Sequence, residues 1–187
     1  DPALGVMADV IAKPTFPQGA FDRAQKRMLV ALRAEKESPS AIAEKAFFAE
    51  VYGSHPYASP SLGTEQSVTA LTRQGAAAFH QRYYTGKNAV IALVGAVDRT
   101  QAEKIAEQVI GGLPAGEAAP ALPLVPALAH PKTVHIAYPS AQTHVLMGQP
   151  GITRDDPDYF PLYVGNHVLG GSGLVSQVAG EVREKRG

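Results

Sequence analysis

Six histidines, an arginine near the end of the chain and one glycine-flanked serine are the residues with a chemistry to offer. A helix built to hold catalytic zinc carries two histidines one turn apart with a glutamate between them, as in H-x-x-E-H or its reverse. No pair of histidines here has that spacing. His135 and His144 fall on apolar segments with no acidic neighbour in sequence. His167 shares a helical stripe with Phe160 and Tyr163, so a core histidine is the plainer reading. His55 precedes Pro56 in a loop and reads as a hydrogen-bonded anchor. There is no G-x-S-x-G elbow. Ser172, in "GGSGL", reads as a cap after a turn. The same "LGGSG" would cradle an anion at a helix start, but no lysine follows to make it a nucleotide loop. "FHQRYYTGK" sets aromatic beside basic residues, yet no second such cluster exists and a solvated helix end explains it.

Arg183 is the most informative of these. On the last predicted helix, Val175, Val178, Ala179 and Val182 form an apolar stripe, and Glu181 and Lys185 pair at i,i+4 on the opposite side. Arg183 lies on the flank, where a rigid, permanently charged fork can point into a cleft or simply into water.

The elements that must position these residues follow from pattern. The 187 residues hold 17 basic and 17 acidic side chains, so net charge is zero and a chain built mainly to hold nucleic acid or an anionic membrane is disfavoured. Apolar residues reach 45%, enough for a core, and no apolar run is long enough to span a bilayer. Zero cysteines exclude disulfides and thiolate chemistry, and suit cytoplasm or periplasm equally.

The opening "DPALGVMADVIAKP" places Leu4, Met7 and Ile11 on one helical stripe. "AFDRAQKRMLVALRAEKE" carries Phe21, Ala24, Met28, Ala31 and Leu32 on one face. Ser38 caps the next helix with Pro39 at its first position, and Gly53 ends it. Thr64 and Thr72 cap two short helices. "NAVIALVGAV" reads as a buried strand. Asp98 and Gln101 make a capping box for a helix that buries Ala102, Ile105, Ala106 and Val109. "AGEAAPALPLVPALAHP" is a proline-rich linker, followed by two further predicted strands in "TVHIAYP" and "THVLMGQPG". Helices are expected from Asp156-Pro157 and from near Ser172. The expected fold is α+β: residues 1–113 as the back of a first unit, 114–131 as linker and 132–187 as the start of a second, helices packed on a mixed or antiparallel sheet.

Three segments, in this order, resemble the M16 peptidase family of pitrilysin, insulinase and mitochondrial processing peptidase. They are "YGSHPYASPSLGTEQSVTALTRQGAAAFHQRYYTGKNAVIALVGAVD" at 52–98, "GGLPAG" at 111–116, and "GITRDDPDYFPLYVGNHVLGGSGLVSQVAGEVREKRG" at 151–187. The resemblance implies repeated α+β units paired into two halves that close around an unfolded peptide. One half is catalytic, with two histidines and a base on an H-x-x-E-H helix and a glutamate ligand on a later one. In this chain the position matching that glutamate is Ala31, and a methyl group cannot bind zinc. Glu35, one turn on, would serve only under a shifted alignment that the ungapped Ser38-Pro39 start argues against. The resemblance therefore implies a non-catalytic half with no cofactor of its own, zinc being held by a catalytic M16 half or subunit. Such halves contribute an arginine and, seven residues on, a tyrosine to bind substrate backbone and support the oxyanion. Arg183 matches the arginine, and the tyrosine would fall at position 190, so the sequence is expected to stop inside the motif.

The expected partners are that catalytic half and peptide substrate, with a dimer as one form of the pairing and without nucleic acid or a membrane span. Bacterial members of the family imply a periplasmic setting. Two alternatives stand beside this reading: a structural scaffold that keeps a peptidase fold, and a piece of an active protease whose zinc motif lies before Asp1.

Overall fold

The computed structural model describes residues 1–171 and 173–187. They divide into two compact units, the first comprising Asp1–Pro126 with Lys132–Met147 and the second Ala127–Pro131 with Gly148–Gly187.

In the first unit the helices begin where their capping residues put them. Helix α1 (Pro2–Ala12) starts on the Asp1 carboxylate, which accepts from the Ala3 N–H at 2.8 Å. Helix α2 (Gln18–Glu35) follows a turn whose Phe16 is held at a φ of +46°. Helix α3 (Pro39–Tyr52) carries Pro39 in its first turn and the Ser38 hydroxyl accepting from Ala41 N–H. Thr64 and Thr72 accept from the third amide of α4 (Glu65–Ala70) and α5 (Arg73–Tyr83). Asp98 and Gln101 exchange both bonds of a capping box at the start of α6 (Arg99–Ile110).

Packing is pairwise. Leu4, Ala8 and Ile11 of α1 are partly covered where the helix meets α6, whose covered residues are Ala102, Ile105, Ala106, Val109 and Ile110. Met7 points out and is half exposed, so the covered stripe of α1 runs through Ala8 instead. Helix α2 lies along α4, with Leu32 and Val68 both buried, each worth about 1.5–3 kcal/mol on the area scale. Gln25 reaches the far end of α4 and donates to the Val68 and Leu71 carbonyls at 2.8 and 3.1 Å. At the near end, Lys36 and Arg33 meet Glu65. Helix α4 is thus tied at both ends, by Gln25 and Arg33 of α2 and by Lys36 just after it.

The proline-rich segment is tied down rather than free. Asn88 donates to the carbonyls of Tyr83 and Glu117 and accepts from Ala119 N–H at 2.7 Å, while Gly86 N–H donates to the Pro114 carbonyl. Gly116 sits at φ +58° against the buried Thr85 side chain, with no space for a Cβ. Further along, Lys132 pairs with Glu50 at 2.5 Å and the Tyr138 hydroxyl donates to the Glu37 carbonyl at 3.0 Å.

The α+β expectation is overturned: among the described residues every regular element is helical and none is a strand. "AVIALV" keeps the alternation of an extended chain, Ile91 and Leu93 half-covered against α6 and Val90 and Val94 almost fully exposed. No ladder bonds join it to the other two predicted strands, which run irregular and exposed. An apolar, alternating run reports a preference for extended backbone, whereas a strand exists only with a hydrogen-bonded neighbour.

In the second unit, α7 (Tyr159–Asn166) continues into a wide π turn, His167–Gly171. A 3-10 turn at Gly173–Val175 leads to a helical stretch over 177–186 whose middle, Ala179–Glu184, is π-helical. The predicted cap Ser172 lies outside the described residues. No described helix is long and apolar enough to cross a membrane.

Candidate functional site

The residues that the resemblance singles out lie in different units: Ala31 on a face of α2 in the first, Arg183 on the last helical stretch in the second.

Helix α2 turns Phe21, Gln25, Met28, Leu32 and Glu35 toward its neighbours and leaves Ala31 exposed. This corrects the sequence expectation that Ala31 shares the packed stripe with Met28. Residues 31 and 32 differ by about 100° around the helix, and α4 settles the choice in favour of Leu32. The position compared with a zinc ligand therefore presents a methyl group to the surface. Glu35 is no substitute, because its Oε2 is taken by the Lys45 ammonium of α3 and both groups are partly covered. Among the described residues no three histidine, aspartate or glutamate side chains come together to hold a metal ion. The donor set around Ala31 does not fit zinc: a methyl, a carboxylate already neutralised, and Arg27 one turn away.

The histidines resolve into structural roles or exposure. His55 is buried, and its Nδ1 accepts from Tyr57 N–H at 3.1 Å, which leaves Nε2 to donate to the Pro123 carbonyl at 2.9 Å. It is an anchor, pinning the proline-rich segment to the turn after α3. His80 donates from Nε2 to the Ile11 carbonyl at 2.7 Å, closing the end of α1, a role that its place in "FHQRYY" does not announce. His135, His144 and His167 are exposed. Phe160 and Tyr163 are exposed too, so the stripe expected to bury His167 is not a packed face.

Around Arg183 the cap is supplied by Ser176, not by a residue the sequence singled out. The buried Ser176 hydroxyl donates to the Gly173 carbonyl at 3.1 Å and accepts from Ala179 N–H at 3.2 Å. The expected Glu181–Lys185 pair is present at 2.5 Å. The expected apolar stripe is not buried, with Val175, Val178 and Val182 exposed and Ala179 partly covered. A π-helical middle breaks the i, i+3, i+4 repeat on which that stripe depended. Arg183 itself is exposed and, among the described residues, makes no ion pair or side-chain hydrogen bond. Glu181 is committed to Lys185, and the five donors of Arg183 face solvent.

Comparison with known proteins decides what these features belong to. The model of the peptidase M16 inactive domain matches residues 70–187. The chain belongs to that family. A crystal structure of an M16 inactive domain from Pseudomonas fluorescens is 39% identical, superposes with a TM-score of 0.90, and is matched over 100% of this chain and 45% of that one. An uncharacterized zinc protease of Streptomyces coelicolor is 28% identical over 99% of this chain and 41% of its own length. The mitochondrial-processing peptidase subunit beta of Lentinula edodes is 25% identical over 90% of this chain and 37% of its own length. The chain thus spans less than half the length of these relatives. The matched residues 70–187 hold Arg183 but not α2, so the family match does not reach Ala31 or Glu35.

Proposed function

We propose that this M16 inactive domain pairs with a zinc-bearing catalytic half, on a separate subunit or in the same polypeptide, and helps enclose and orient peptide for cleavage there. Arg183 is the residue assigned to the substrate, where its fork would hold backbone carbonyl oxygen and the charge that develops on it during attack. The observation that carries the reading is the exposed guanidinium of Arg183, without an ion pair among the described residues, at the position that the sequence resemblance sets against the family's substrate arginine. Zinc, bound by the partner, would activate water and polarise the scissile carbonyl. This chain's part is to bind and aim.

The test is reconstitution. The chain is mixed with a catalytic M16 partner, and cleavage of an unfolded peptide is followed. Cleavage should appear on mixing, and Arg183→Ala should lower kcat by about 10²–10³-fold, the cost of one lost oxyanion donor. Cleavage by the partner that is indifferent to the chain and to Arg183 would overturn the proposal and leave a scaffold role in its place.

A further inference from the structure

Helix α2 holds an imbalance of charge that its packing does not use. Arg23, Lys26, Arg27, Val30 and Ala34 share its exposed side, adjoining the exposed Ala31. On the other helical stretches the ion pairs that form one turn apart are Asp9 with Lys13, Arg99 with Glu103 and Glu181 with Lys185. On α2 the pair at that spacing is Arg23 with Arg27, two permanent cations. Asp22 precedes Lys26 by one turn, but its carboxylate accepts from Gln18 at 2.8 Å instead. Arg23, Lys26 and Arg27 have no acidic partner among the described residues. Like charges at this spacing destabilise a helix, and none of the chain's 17 acidic side chains forms an ion pair with these three among the described residues.

From this we infer that the exposed face of α2 is a docking strip for an acidic, extended polypeptide segment. The inference rests on the reading that this domain holds peptide, and it names the class of peptide. Arg23 and Arg27 are one turn apart, a rise of about 6 Å. Same-side residues of an extended chain repeat at about 6.7 Å, so carboxylates at alternate positions meet the two guanidinium forks in step. Val30, 65% exposed beyond them, offers an apolar contact to the next side chain on that side. Three cations within about one turn are too few for the 6–10 phosphate contacts of a typical nucleic-acid site. Val30 alone is no apolar face for lipid.

Fluorescence anisotropy with labelled, unstructured peptides tests this on the chain: one with glutamate at alternate positions, the same peptide with glutamine there, and the same with lysine. The glutamate peptide should bind about tenfold tighter than the glutamine one, and that margin should shrink with added salt. Combining Arg23→Glu, Lys26→Glu and Arg27→Glu should transfer the preference to the lysine peptide. The milder pair Arg23→Gln and Arg27→Gln should erase it, with helicity by circular dichroism confirming that both variants fold. Equal affinity for the three peptides, no binding of any, or a preference for phosphatidylglycerol vesicles or an oligonucleotide over the glutamate peptide would overturn the inference. Charge preference without reconstituted cleavage would remove the proposed pairing and keep the strip. Cleavage without charge preference would do the reverse.

Discussion

Glu65 shows how much a single side chain can organise at a helix junction. It is the first residue of α4, its Oε1 lies 2.6 Å from the Lys36 ammonium, and Arg33 stands 3.9 Å from Oε2. The hydrogen-bonding contact of Lys36 holds the carboxyl below its ordinary range, with Arg33 adding to the effect and partial burial opposing it. A carboxyl with a depressed folded pKa contributes stability that is present above its unfolded pKa and is lost as pH falls through the folded one. Urea unfolding of the chain and of Glu65→Gln should therefore differ at neutral pH and converge below the usual glutamate range. A gap that stays constant with pH would assign the effect to packing instead. The type of residue at a site was easier to read than its direction. Ala31 is an alanine whatever its surroundings, but only the position of α4 shows that it faces outward and that Leu32 takes the inward place. Likewise the freedom of Arg183 depends on Glu181 choosing Lys185, which spacing suggested and geometry shows.

At the scale of elements, helices were legible because their signals are local. Ser38, Thr64, Thr72 and the Asp98–Gln101 box each satisfy an orphan amide within their own turn, so four or five residues suffice to predict them. Extended segments are different, since what makes a strand is a neighbour that may lie far along the chain. The alternation at Ile91 and Leu93 survived without one. The proline-rich segment was legible as irregular, but not as anchored. Its anchors are an asparagine, a threonine and a histidine that look like ordinary loop residues in sequence. Asn88 is the hub, bonded to Tyr83, Thr85, Glu117 and Ala119. Asn88→Ala should destabilise the chain by about 1–3 kcal/mol, the cost of leaving partly buried groups unpaired. Hydrogen exchange should speed at Ala119 and at Gly86, while α2 keeps its protection. Unchanged exchange at Ala119 would mean that Asn88 does not hold the segment.

For the whole molecule, membership of the M16 inactive-domain family and the chemistry of α2 point the same way. A site for a divalent cation needs several converging, deprotonated donors and a surrounding field that is not positive. Here the compared position is a methyl, the nearest rescue is an ion-paired glutamate, and the flank is arginine. The proposed role in binding and aiming peptide draws instead on Arg183, which makes no ion pair among the described residues, and on the basic face of α2. Zinc titration of the purified chain, followed by dialysis and metal analysis, tests this most directly. The account predicts no zinc retained at a saturable site. One zinc per chain, lost on Glu35→Gln, would contradict it.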